Sequence, residues 1–172
     1  MTDEYLQRHG DAKYEGLGEN GRAWQMLQDG IDVGQYQAWN AAEHEAGLVR
    51  GVHFLDRGDE LKQLKREGRL TEALELVIEI IEATEREQDV KLRLRPSRFE
   101  YWSNLGVEGG SYVGPTPPGW TIHAAIILRK LKAYEAEVAI IDRWLARAEN
   151  REYPEMMKRR AKAFELLKKS RG

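Results

Sequence analysis

At 172 residues and a formal net charge of −2 the chain has the length of one domain, and a chain this size buries roughly 70% of its unfolded surface. It contains no cysteine, which excludes disulfides and thiolate metal sites and fits a reducing compartment. No apolar run approaches the ~20 residues of a membrane span, and the polar opening MTDEYLQRHGD does not read as a signal peptide, so a cytoplasmic protein with no membrane partner is expected.

Charge is spread unevenly. Residues 1–60 carry 5 Lys and Arg against 12 Asp and Glu, a net of −7, whereas 151–172 carry 8 against 3, a net of +5. Such asymmetry bears on association and not on fold. Residues 1–20 are polar and Gly-rich without a clean period, which predicts a flexible or loosely docked N-terminus ahead of a single helical domain over 21–172. Gly16, Gly18 and Gly21 make a formal GxGxxG there. No buried strand precedes it and no βαβ alternation follows, so the dinucleotide reading lacks its context.

Gly21 to Gln28 reads as a short helix carrying Trp24 and Leu27, and Gly34 to Gly47 as another carrying Tyr36, Trp39 and Ala42. Leu48 to Leu55 alternates in part, as a short strand or an extended lead-in would. From Asp59 the periodicity sharpens. Leu61 and Leu64 mark one helix that Gly68 ends. Leu70, Ala73, Leu74, Val77, Ile78, Ile80 and Ile81 then give a second helix a stripe too wide for one-sided burial.

The pattern breaks at 88–118. Val90, Leu92 and Leu94 alternate with Lys91, Arg93 and Arg95, which predicts a small β-hairpin turning at Pro96-Ser97; a short helix from Ser97 to about Leu105 is the alternative. Glycines and prolines from Gly106 to Pro118 then predict irregular backbone. Trp120 opens a third strong helix, and Glu135 to Arg147 forms its partner. Tyr153-Pro154 starts a last helix, over about 154–169, with Met157, Ala161, Phe164 and Leu167 as its apolar stripe, which would cap the stack.

Chemistry-bearing patterns are sparse. His9, His44, His53 and His123 show neither HExxH nor His-x3-His spacing, and Glu43-His44-Glu45 fans out on a helix, so no metal, cofactor or catalytic residue is assigned and no enzyme is expected. His123, one turn from Ile126 and Ile127, reads as a satisfied, partly buried histidine. Glu72, Glu75, Glu79, Glu82 and Glu85 read as a solvated helix face. KLRLRPSRFEYW, from Lys91 to Trp102, mixes Arg93, Arg95 and Arg98 with Phe99, Tyr101 and Trp102. That composition suits a single-strand nucleic-acid platform, a protein-binding loop, or a hairpin that tucks its aromatics onto the helices.

Two units stand out, Leu61–Thr84 and, 64 residues later, Ala125–Ala148. In the first, Gly68, Leu70 and Ala73 are followed by Val77, Ile80 and Ile81. In the second, Lys132, Tyr134 and Glu137 take the same places, followed by Ile141, Trp144 and Leu145, with Ala125 as the small residue of the first helix. This spacing resembles the tetratricopeptide repeat, in which a Gly turn is followed by an aromatic or Leu and then by an Ala where the helices touch. The second unit also resembles small helical-hairpin proteins of bacteria and their phages. Glu137 departs from the pattern, so its carboxylate must be paired, for instance by Arg129, or the helices must cross differently.

The resemblance implies a mainly α fold: antiparallel hairpins at about 59–87 and 119–148, stacked as in that family, with the irregular or β-hairpin insertion at about 88–118 between them. It further implies a non-enzymatic protein-interaction module whose groove is lined by the first helices of the hairpins, through Lys62, Lys65, His123 and Arg129. The insertion would edge that groove with Arg93, Arg95, Arg98, Phe99, Tyr101, Trp102 and Tyr112. The partner would be a peptide, a helix, a partner subunit or a second copy of the chain, since an unfinished stack exposes apolar ends. The alternative partner is nucleic acid, bound by the basic stretch 91–102 and the basic C-terminal helix.

Overall fold

The structure, a computed structural model, describes residues 19–104, 113–148 and 153–171. The expected loosely docked N-terminus up to residue 18 and the candidate Tyr112 lie outside the described residues. The described residues are mainly helical, with one small antiparallel sheet. They fall into two compact units, the described residues up to 45 with those of 89–113, and those of 46–88 with those from 114 onward.

In the first unit, helix α1 (Glu19–Gln28) ends in a turn at Gly30, whose φ of +76° is the left-handed conformation that glycine adopts without a Cβ clash. Ile31 N–H closes that turn onto the Met26 carbonyl at 2.9 Å. Asp32 then accepts from the Gly34 N–H at 2.8 Å and starts helix α2 (Gly34–Ala46). Ala23, Met26, Ile31, Val33, Tyr36, Trp39 and Trp102 form the core of this unit.

The second unit opens on a β-hairpin, β1 (Leu48–Val49) and β2 (Val52–His53), where the sequence left strand and lead-in undecided. Arg50 and Gly51 both take positive φ, the signature of the two-residue turn that suits a twisted hairpin. A short 3-10 turn, Phe54–Arg57, leads into helix α3 (Gly58–Arg66). Arg57 donates to the Val49 carbonyl at 2.8 Å and so ties the hairpin to the helix start.

Gly68, at φ +74°, ends α3, with Arg69 N–H bonded to the Leu64 carbonyl at 3.0 Å and Gly68 N–H turned back to that of Lys65. Helix α4 (Leu70–Asn104) follows. The same turn recurs after helix α5 (Pro118–Lys130): Ala133 N–H bonds the Leu128 carbonyl at 2.9 Å, and Lys132 takes the left-handed position at φ 58°. Helix α6 (Tyr134–Arg147) and helix α7 (Pro154–Arg171) complete the unit. Ala73, Leu76, Val77 and Ile80 from α4 share one core with Leu61 of α3, Ala124, Ala125 and Ile127 of α5, Ile141 and Trp144 of α6, and Met156 of α7.

Three expectations are corrected. Residues 88–104 form no β-hairpin; they belong to α4, which continues through Pro96. The alternation of Val90, Leu92 and Leu94 is overridden by a helical stripe, Leu94, Arg98, Tyr101 and Trp102, that faces the first unit's core. Pro96 and Leu92 are both exposed, so the Leu92 carbonyl, which proline leaves without its helical donor, opens to water. On α7 the buried face is Met156 and Ala163, while Met157 and Phe164 are exposed. The stripe is displaced by one residue from the one predicted. Third, Glu85 is not on a solvated face but is buried against the Arg143 guanidinium, which donates to it at 2.5 and 2.9 Å.

Glu137 is fully buried at the α5–α6 contact. Arg129 meets it with two bonds, Nη2 to Oε1 at 2.5 Å and Nε to Oε2 at 3.1 Å. A forked guanidinium satisfies both carboxylate oxygens, which is what a buried carboxylate requires. Removing one partner strands the other. We expect Arg129→Met to lower unfolding stability by about 3 kcal/mol or more in urea titrations. Adding Glu137→Ala should recover most of that loss, since alanine suits a close helix contact; a double variant no more stable than Arg129→Met would contradict this.

Candidate functional site

The predicted site residues separate into three groups. Arg98 and Trp102 are core. Trp102 is 1% exposed and Arg98 6%. Arg98 lies against the Tyr36 and Trp39 rings, with its Cζ 5.4 and 5.8 Å from their centroids, and pairs with Glu43 at 2.6 Å and Asn40 at 3.0 Å. Trp102 packs edge-on against Tyr36 and Tyr101, at 5.5 and 5.1 Å between centroids, and Tyr101 packs likewise on Trp39 at 5.5 Å. Desolvation raises the Tyr101 phenol above its ordinary value, with Asp32 adding to the shift. The expectation that Arg98 and Trp102 edge a binding groove is therefore corrected: helix α4 turns both into the interior, with Tyr101 half-buried beside them.

Arg93, Arg95 and Phe99 lie outside that buried stripe of α4 and are exposed. Arg129, expected to face the groove, is instead turned to Glu137 on α6.

Lys62, Lys65 and His123 are brought together. Lys62 and Lys65 stand one turn apart on α3, and the Trp120 ring lies beside Gly58 one turn earlier, 3.7 Å from where a Cβ would sit, an ordinary contact distance. On α5, Trp120, His123 and Lys130 follow at steps of 3 and 7 residues, a single helix face. The Lys65 ammonium lies 2.9 Å from His123 Nδ1. A charged lysine has only donors, so this contact requires a neutral imidazole that accepts at Nδ1 and carries its proton on Nε2. The Trp120 and His123 rings lie 6.1 Å apart between centroids.

The electrostatics of this face are unbalanced. Burial, then Lys130, lowers Lys65 from its ordinary value. Burial, then Lys65 and Lys62, lowers His123. Lys62 has a counter-ion in Asp59 at 2.8 Å, whose carboxyl is held low chiefly by that hydrogen bond. Lys130 and Trp120 were not among the residues singled out from sequence, although their helical step from His123 was available to find them.

A shallow cleft of about 560 Å3 lies elsewhere in the same unit, between the α5–α6 turn and the end of α7. Arg171 and Glu135, both lining it, pair at 2.9 Å. Among the described residues no group of three or more His, Asp or Glu side chains is placed to hold a metal. No described helix is long and apolar enough to cross a membrane. No protein-family description, curated protein or solved structure matches the chain significantly.

The two faces of α4 should respond differently to substitution. Arg98→Ala leaves Glu43 half-buried without its guanidinium, and Trp102→Ala removes a large buried ring, so each should lower stability by about 3 kcal/mol. Arg93→Ala, Arg95→Ala and Phe99→Ala should stay within about 0.5 kcal/mol of the parent. Thermal denaturation checks both. An Arg98→Ala protein as stable as the parent would place that side chain outside the core.

Proposed function

We propose that the chain is a non-enzymatic interaction module that docks an acidic peptide or helix of a partner protein on the α3–α5 face of its second unit. The observation that carries this reading is the Lys65–His123 contact, in which a half-buried ammonium is held at 2.9 Å against a neutral imidazole instead of a carboxylate. Lys62 and Lys130 add positive potential around them, and Trp120 offers an apolar surface beside them. A ring flanked by cations is the composition that anchors protein interfaces, and the charge selects for acidic ligands and speeds their encounter.

The nucleic-acid alternative is less well supported. Trp102 is buried and Tyr101 faces inward, which leaves Phe99 with Arg93 and Arg95 as its stacking residues. Much of the positive charge of α7 is also spent internally, since Arg160 pairs with Asp142, Lys162 with Glu165, and Arg171 with Glu135.

The test is fluorescence anisotropy with a labelled helical peptide rich in Glu and Leu, against a control with every Glu replaced by Lys. The acidic peptide should bind and the basic one should not. Lys65→Glu combined with Lys130→Glu should weaken binding about tenfold or more, equivalent to ~1.4 kcal/mol. Equal binding of the two peptides, no binding of the acidic one, or affinity unchanged by the double reversal would overturn the reading.

A further inference from the structure

Among the described residues, no carboxylate is bonded to Lys65 or His123, although both are half-buried and both are basic. The charged and titratable groups facing His123 are Lys65 and Lys62, both from α3; Lys130 acts on it through Lys65, and Trp120 on its own helix is uncharged. Asp59 neutralises Lys62 alone. The imidazole therefore sits in a positive field with Lys65 as its hydrogen-bond partner among the described residues, and Nδ1 is occupied as an acceptor.

We propose that this pair is a carboxylate-binding site in which a Glu or Asp side chain of the ligand seats against Lys65 and His123 and is bound together with a proton on the imidazole. The inference rests on the docking reading and adds to it the group that is read and the proton that accompanies it. On binding, His123 takes one proton from solvent. Nδ1 turns from acceptor to donor, the Lys65 ammonium is released from it, and both donate to the incoming carboxylate. No covalent bond to carbon changes.

The direction of the pH dependence follows from the free protein. Burial and the two lysines hold His123 below the ordinary histidine value of 6.5, so it is neutral at neutral pH. A carboxylate against the ring reverses that preference, because opposite charge favours the protonated form. The complex holds more protons than the free protein between the two values. Affinity for an acidic ligand must rise as pH falls through that window, and level off once the free protein is itself protonated.

The experiment uses the full chain and the labelled Glu-rich peptide at fixed ionic strength. Affinity should be about threefold or more tighter near pH 5.5 than near pH 8, since each unit by which a pKa moves on binding is worth up to tenfold. In His123→Gln the ratio between the two pH values should fall close to one. In the unaltered protein, the NMR titration midpoint of His123 should move upward when the peptide saturates it. Equal affinity at both pH values, a rise that survives in His123→Gln, or a midpoint unmoved by peptide would overturn the proton-linked site while leaving the docking reading in place. A peptide that binds at neither pH would overturn both. The midpoint is read without any substitution, so a variant that fails to fold does not remove the test.

Discussion

A fully buried carboxylate sits on α6, and Arg129 of α5 answers it. Glu137 lies in the α5–α6 contact, and it has no exposed surface. Only a forked cation bonded to both oxygens makes that placement tolerable. The consequence reaches beyond the pair itself. With Arg129 turned toward α6, residues His123 and Lys130 project about 100–120° further round the helix, which points them away from the contact and toward α3. The buried ion pair and the burial of Ala124, Ala125, Ile127 and Leu128 on the same helix together orient α5, and with it the composition of the α3–α5 face.

That face differs from the rest of the charged surface. Elsewhere the described arginines are largely answered: Arg50 by Glu79, Arg69 by Glu72, Arg143 by Glu85, Arg160 by Asp142. Apart from the pair at buried Glu85, exposed pairs of this kind contribute little to stability. Lys65 is answered by a histidine instead of a carboxylate, in a half-buried position where solvent and salt screen less. A half-buried positive cluster with no carboxylate bonded to Lys65 or His123 has a face whose natural complement is an anion. The apolar Trp120 ring beside it gives a partner more than charge to hold.

How much of this was legible in the sequence depended on whether the signal was local. Gly68 and the spacing from Leu70 to Ile81 announced a turn and a buried helix, and both are present. Glu137 was legible as an anomaly, and Arg129, on the preceding helix, as its answer. Residues 89–104 misled for a physical reason. Six residues alternate and a proline follows, while the true helical stripe runs Leu94, Arg98, Tyr101, Trp102 and has a cation as its second member. An arginine buried between two rings does not register as apolar, so the period of the helix went uncounted. On α7 the neighbouring Met156 and Met157 are chemically identical, and the sequence alone gave no reason to prefer the one that is buried. The Lys65–His123 contact joins residues 58 apart, and no local pattern encodes it.

The central claim is that ligand is read by the α3–α5 face. Amide chemical-shift mapping with the Glu-rich peptide tests it most directly. The account predicts that the perturbed resonances cluster in Gly58–Arg66 and Pro118–Lys130, with the largest changes near Lys65 and His123. Perturbations confined to the exposed side of α4 around Arg93, Arg95 and Phe99, or to α7 around Met157 and Phe164, would contradict it.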